Sequence, residues 1–292
     1  MSKIHDLVTA RILDALKEGK VPWRKPWKAM RASGNAQPHN IKGRPYRGAN
    51  WFLLGMMPYE DPTYLTFKQA LELGGCVRKG EHGIPVIFWK LLDGESEDGG
   101  PCKIPFARQY TVFNVAQCDG LPAAPEEPLL PTPPAFDPIL TAEAIWDGFP
   151  NKPGLLHGGD RALYSPQRDQ IWMPKREAFE TPEGYYETLF HEAGHSTGHQ
   201  SRLARKEIVT ASYFGAKDYS REELVAELTA AFLCAAAGID QPVFENMVAY
   251  LQGWMSRLKE EPDAFITAAS RAQRAMDYIL GKTFEDQPEV AA

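Results

Sequence analysis

Seven prolines between Leu121 and Pro138, at positions 122, 125, 128, 131, 133, 134 and 138, divide this chain in two. A run of that density supplies neither the amide hydrogens of a helix nor those of a central strand, so it reads as a stiff, polyproline-like spacer. With 292 residues, 43% of them hydrophobic, the flanking segments are each large enough to bury a core. The expected organisation is an α+β chain of two domains, 1–120 and 139–285, joined by a linker over 121–138 and followed by a tail over 286–292. Because such a spacer transmits little structure, the two halves are expected to act independently.

Charge divides at nearly the same place. The whole chain carries −6, yet residues 1–90 hold 15 Lys/Arg against 7 Asp/Glu, a net of +8 that leaves −14 for the remainder. An asymmetry of this size points to an anionic partner for the first part only. The longest apolar run, Leu228 to Ile239, is too short and too alanine-rich for a membrane span. The N-terminus shows an amphipathic pattern (Ile4, Leu7, Val8, Ile12, Leu16) with Asp6 among it, unlike a signal peptide. The four cysteines, at 76, 102, 118 and 234, form no C-x-x-C pair and read as reduced thiols. A cytoplasmic protein without membrane attachment is expected.

The second half contains His191-Glu192-Ala193-Gly194-His195, an H-E-x-x-H sequence. On a helix, residues four apart lie one turn above each other, so His191 and His195 can reach one cation while Glu192 deprotonates a water held beside it. Thr181 and Pro182 provide a cap and first turn, and Tyr185, Tyr186, Leu189 and Phe190 provide apolar bulk. Two ordinary surface histidines are the bland alternative.

A zinc site needs a third protein ligand. The H-E-x-x-H-x-x-G-x-x-H branch is disfavoured, because Gly198 falls in place but Ser201 occupies the last histidine position and His199 comes two residues early. The other branch takes a glutamate from a following helix, and Ser220-Arg221-Glu222-Glu223-Leu224-Val225-Ala226-Glu227 offers one. Glu223 is the expected ligand, with Glu227 orienting a histidine from behind or serving as the fallback ligand. Against this, Ser220 and Glu223 also spell a capping box, in which the glutamate would only satisfy its own helix. Ala226 is small enough to let the two helices approach closely. Tyr213 and Tyr219 are candidates for stabilising an oxyanion. One divalent metal per chain, zinc first, is the cofactor expected.

The first half places cations beside aromatic rings. Trp23, Arg24, Lys25, Trp27, Lys28, Arg44, Tyr46, Arg47, Asn50, Trp51, Lys68, Arg78 and Lys79 are the candidate DNA contacts. Cations neutralise phosphates, and flat ring faces stack on unpaired bases, so single strands are favoured over duplex. The alternative is that the tryptophans are core residues and the charges a solvated face. Helices near 50–54 and 67–73 and strands at 84–90 and 109–115 are expected. In the second half a hairpin of 161–164 and 170–173 and helices over 243–258 and 263–280 complete the pattern.

Val21-Pro22-Trp23-Arg24-Lys25-Pro26-Trp27, Tyr46-Arg47-Gly48-Ala49-Asn50-Trp51, Thr66-Phe67-Lys68-Gln69-Ala70 and Arg78-Lys79-Gly80-Glu81-His82-Gly83 resemble the N-terminal domain of ArdC-type antirestriction proteins, a domain also found at the front of certain plasmid primases. The second half, with His191–His195 and Ser220–Glu227, resembles the zincin-like domain of the same proteins. His82 departs from the pattern, standing where a lysine is expected. The resemblance implies a plasmid- or phage-borne protein that binds single-stranded DNA and shields it from host restriction; it does not say which protein, if any, is cleaved, and host restriction-enzyme subunits are the candidate partners. Three readings compete: an antirestriction protein with an active metallopeptidase, a DNA-binding protein with a silent metal domain, and a general intracellular metalloprotease.

Overall fold

The computed structural model describes residues 3–19, 37–95, 101–122, 138–209, 217–239, 247–261 and 263–282. Most of the proline-rich spacer lies outside them. The chain opens with helix α1 (Lys3–Lys17), whose Val8, Ile12 and Leu16 fall on one stripe and are at most 1% exposed. Strand β1 (His39–Asn40) and helix α2 (Ala49–Gly55) follow, then β2 (Thr63–Thr66), which runs directly into α3 (Phe67–Glu72). Thr66 caps α3 through a full capping box with Gln69, as its sequence position requires. Gly74, at φ +81°, ends that segment where a side chain would be strained.

After the short β3 (Cys76–Val77) come β4 (Ile84–Glu95) and β5 (Pro101–Asn114), paired in antiparallel register from Ile84 opposite Val112 to Glu95 opposite Pro101. Both strands run well beyond the expected 84–90 and 109–115. The sheet order is β1-β2-β5-β4, and β6 (Cys118–Asp119) pairs with β3 apart from it. One face of the sheet buries Tyr46, Leu54, Tyr64, Ile84, Val86 and Val112 as a cluster of its own.

The second half begins with α4 (Pro138–Asp147) and a three-stranded sheet of β7 (Gly154–His157), β8 (Leu163–Ser165) and β9 (Gln170–Met173), in the order β7-β9-β8. The antiparallel β8–β9 hairpin is as expected, whereas β7, parallel to β9, has no clear sequence signal because its residues are mostly exposed. Helices α5 (Pro182–Ser196), α6 (Lys206–Val209), α7 (Lys217–Ala237), α8 (Met247–Glu260) and α9 (Ala264–Ile279) complete it. In α9, Phe265, Ile266, Ala269, Ala272 and Met276 face inward, as their spacing requires.

The α+β, two-domain class stands, but the two halves do not sit apart. A single hydrophobic cluster joins Val8, Ile12 and Leu16 of α1 and Trp51, Phe52 and Leu53 of α2 to α5, α7 and α9. Trp51 packs its ring 4.9 Å from Phe232 of α7, and Phe52 lies 4.8 Å from Phe232 and 5.6 Å from Phe265 of α9. Polar groups reinforce the seam: Arg47 pairs with Asp277, and the Gly48 amide donates to Gln273 Oε1 at 3.1 Å. The halves are thus joined through packed side chains as well as through the spacer. The spacer's stiffness is irrelevant to coupling when the domains share a core through other residues.

Candidate metal centre

Helix α5 starts as its sequence dictates, with the Gly184 amide donating to Thr181 Oγ1 at 3.1 Å and Pro182 in the first turn. It ends near Ser196, so His191 and His195 project from its last turns toward α7. Gly194 makes the approach possible. A Cβ there would lie 3.1 Å from Ala226 Cα and 3.3 Å from Ala226 O, so the absence of one lets the α7 backbone come close. Small residues on both helices thus bring the α7 carboxylates within reach of the α5 imidazoles.

Glu223 Oε2 lies 3.5 Å from His191 Nε2, Glu223 Oε1 lies 3.3 Å from His195 Nε2, and the two Nε2 atoms are 3.1 Å apart. A tetrahedral zinc with ligand bonds of about 2.0–2.1 Å sets its ligands about 3.3 Å from one another. The three separations bracket that value. Glu223 Oε1 is buried and makes no hydrogen bond, a costly condition for a carboxylate oxygen unless something cationic belongs there. The three donors fit a divalent cation. Helix α7 begins at Lys217, so Ser220 already lies inside it and the capping-box alternative for Glu223 does not hold.

Glu222, adjacent in sequence, turns to the other side of the same histidine. Its Oε1 is 3.5 Å from His195 Nδ1, and its two oxygens receive Arg205 Nε (2.9 Å) and Nη2. Burial opposes charge on His195, but the Glu222 and Glu223 carboxylates outweigh it and push its pKa up to about 10. Burial likewise opposes ionisation of Glu223, yet the two histidines hold its carboxyl well below the usual range. Glu222 is also lowered against its burial, by His195 and Arg205. The field of the site thus favours a positive charge between the imidazoles and Glu223, and a bound cation would displace a proton.

Glu192 is 7% exposed, and its side chain makes no hydrogen bond to the described residues. Glu227 is half-buried one turn along α7 from Glu223 and outside the three-donor cluster. The carboxylate behind His195 is therefore Glu222, not Glu227. The i, i+4 spacing suggested Glu227; Arg205, which orients Glu222 from beyond Gly198, carries no local sequence signal. His199 pairs its Nδ1 with Ser201 Oγ at 2.7 Å and is not part of the cluster. Tyr213 lies outside the described residues, as does the side chain of Tyr219, whose backbone is in the first turn of α7.

The candidate DNA contacts separate into distinct environments. Trp23, Arg24, Lys25, Trp27 and Lys28 lie outside the described residues. Trp51 is 2% and Tyr46 6% exposed, so neither presents a ring face to a strand. Tyr46 instead packs edge-on to Tyr64. Asn50 is buried and spends both ends of its amide on the β4 edge, donating to Ile87 O at 2.6 Å and accepting from Ile87 N at 2.8 Å. Arg47 is engaged with Asp277. The structure places these four in the framework: Trp51 in the shared core, Tyr46 in the sheet cluster, Asn50 on β4 and Arg47 on Asp277. Arg44, Lys68, Arg78 and Lys79 are exposed. Of these, Lys68 pairs with Glu72, and Arg78 pairs with Glu81 and Asp119.

Comparison with known proteins agrees with both halves. Residues 2–113 match the N-terminal domain of anti-restriction factor ArdC, and residues 150–271 match the zincin-like metallopeptidase family. The chain is 33% identical over 94% of its length to DNA primase TraC of Escherichia coli, spanning 27% of that protein, and 34% identical to a second TraC, spanning 20% of it. It therefore covers only about a quarter of those primases. It is 33% identical to protein y4eC of Sinorhizobium fredii, covering 97% of this chain and 94% of that one. Among solved structures it is similar to the antirestriction protein ArdC of plasmid R388. The metal-free form gives 36% identity and a TM-score of 0.72 over 95% of this chain and 97% of that one. The Mn(II)-bound form gives 36% identity and a TM-score of 0.74 over 96% and 98%. With an ArdC N-terminal domain leading into a zincin-like metallopeptidase domain over nearly the full length of the R388 protein, this chain belongs to the ArdC-type antirestriction family.

Proposed function

We propose that this protein binds single-stranded DNA through its basic N-terminal half, shields incoming plasmid DNA from host restriction, and carries a divalent metal on His191, His195 and Glu223. The observation that carries the metal reading is the convergence of these three donors, with Glu223 Oε1 buried and without a hydrogen bond. The Mn(II)-bound form of the R388 relative supports a divalent ion, and the donor set of two imidazoles and a carboxylate suits zinc equally. When bound, the ion polarises a carbonyl and acidifies water. The chain's own contribution is Glu192, which follows His191 in the helix, makes no side-chain hydrogen bond to the described residues and would take a proton from water. Hydrolysis of a protein, with host restriction subunits as candidate substrates, is the activity such a site supports.

The DNA reading rests on the charge asymmetry of the sequence and on the exposed Arg44, Lys68, Arg78 and Lys79. Phosphate contacts make binding fall steeply with salt, and stacking on unpaired bases favours single strands. Fluorescence anisotropy with a labelled oligonucleotide, competed by unlabelled single strand or duplex, tests it. Single strand should compete at far lower concentration; equal competition overturns the single-strand assignment. In the same preparations, elemental analysis should find metal in wild type and Glu227→Ala and none in Glu223→Ala. Metal retained by Glu223→Ala and lost by Glu227→Ala overturns the ligand set.

A further inference from the structure

Beneath the three donors lies a buried ion pair that the proposed metal chemistry does not use directly. Arg205 and Glu222 are 7% and 2% exposed. Arg205 reaches them from the loop after α5 and fills nearly all its donor capacity: Nε to Glu222 Oε2 at 2.9 Å, Nη1 to Thr197 Oγ1 at 2.6 Å, and Nη2 to Glu222 Oε1 and to Gly194 O at 2.8 Å. The carbonyls it meets belong to the last turn of α5, where a cation also suits the helix dipole. Gly198 makes room for it, since a Cβ there would stand 3.1 Å from Arg205 Nη2 and 2.6 Å from Ile208 Cγ1.

Burying two full charges is poor value for stability alone, because apolar residues of similar volume commonly serve as well or better. Nor is a carboxylate needed merely to cap carbonyls, which Arg205 does itself. What Glu222 alone supplies among the described residues is a fixed negative oxygen on the Nδ1 side of His195, 3.5 Å away. An acceptor there keeps the proton on Nδ1 and turns the Nε2 lone pair toward Glu223 and His191. The Arg205 fork also explains the division of labour between adjacent glutamates. Both oxygens of Glu222 are committed to the guanidinium, whereas Glu223 keeps one buried oxygen without a hydrogen bond.

We propose that Arg205 and Glu222 are positioning residues: Arg205 pins the Glu222 carboxylate, and Glu222 sets the tautomer and direction of His195 for metal binding. This rests on the reading of His191, His195 and Glu223 as metal ligands. The full-length protein, loaded with zinc or manganese and titrated with a chromophoric chelator, gives the affinity of each variant. Glu222→Gln keeps the shape and removes the charge, and should lower metal affinity tenfold to a hundredfold, the range for groups that orient a ligating histidine. A double variant, Arg205→Met with Glu222→Met, separates positioning from mere structure. It replaces the pair by apolar bulk and should unfold within a few degrees of wild type while its metal affinity stays as low as that of Glu222→Gln.

Proton NMR of the zinc-loaded proteins supplies a signature independent of activity. Wild type should show a downfield, slowly exchanging His195 Nδ1 proton, absent from the double variant. If either variant folds and binds metal as wild type does, the positioning role is overturned while the metal site stands. If wild-type protein binds neither metal and Glu223→Ala changes nothing, the metal reading itself fails, and the inference with it.

Discussion

Asp169 shows how one residue in a turn reaches the end of α5. It sits at φ +48° between β8 and β9, a left-handed conformation that aspartate tolerates better than most residues. Its carboxylate accepts from Tyr164 Oη at 2.8 Å and from Arg202 Nη1 at 3.0 Å, and Arg202 Nε donates in turn to Ser196 O at 2.7 Å, at the end of α5. Burial opposes ionisation of Asp169, but Arg202 and Tyr164 outweigh it and hold the carboxyl below the usual range. Because the folded-state value is depressed, this contribution is fully present above the ordinary carboxylate value near pH 4 and is lost as pH falls through the folded one. Urea unfolding should therefore show stability declining below about pH 4. Asp169→Asn should flatten part of that decline and cost about 1–3 kcal/mol at neutral pH, the scale for hydrogen bonds to a charged group. An unchanged acid profile in Asp169→Asn would contradict this.

At the scale of elements, the pairing of α5 with α7 decides whether there is a site. Each helix holds its residues in order by its own periodicity, but the distance from imidazole to carboxylate is set by how closely the two axes approach. Gly194 against Ala226 sets that approach, with Thr229 Cβ 3.2 Å from where a Gly194 Cβ would stand. Gly194→Ala raises helix propensity, which alone would stabilise by roughly 1 kcal/mol. Here the added methyl meets backbone atoms that move only with their helix, and overpacking of this kind costs about 1–3 kcal/mol. We expect Gly194→Ala to fold with a lowered melting temperature and weaker metal binding, because Glu223 is carried away from both histidines. A variant more stable than wild type with full metal affinity would show that the interface has room to spare.

Across the whole molecule, the segment Tyr46–Trp51 is the seam. It carries four of the candidate nucleic-acid contacts, of which Trp51 packs on α7 and Arg47 pairs with Asp277 of α9. Two sequence domains sharing one core should unfold together. Trp51→Ala removes a buried ring between α2 and Phe232, a truncation that costs about 3–5 kcal/mol. Calorimetry should record one transition for wild type and one, at lower temperature, for Trp51→Ala. Two transitions, of which only one moves, would restore the picture of independent halves. Because α7 carries both Phe232 and Glu223, the proposed ligand, damage at the seam should also weaken metal binding.

Local rules determined a good deal of this protein before any packing is considered. The cap at Thr181, the four-residue spacing of His191 and His195, the Thr66 capping box and the inward stripe of α9 are all fixed by neighbours within one or two turns, so they are legible in the sequence. That the helix following the histidines carries acidic residues is legible too, but which of Glu222, Glu223 and Glu227 faces them is not. What lay beyond local reach was decided by tertiary structure alone. Arg205 and Glu222 meet only when a loop folds back under α5, and the parallel strand β7 is recruited by a partner, not by its own alternation. The fate of Tyr46, Arg47, Asn50 and Trp51 depended on whether another surface was available to cover them. Aromatic and amphipathic side chains suit a binding face or a core equally well: α7 and α9 cover Trp51 and engage Arg47, while the N-terminal sheet covers Tyr46 and takes the Asn50 amide.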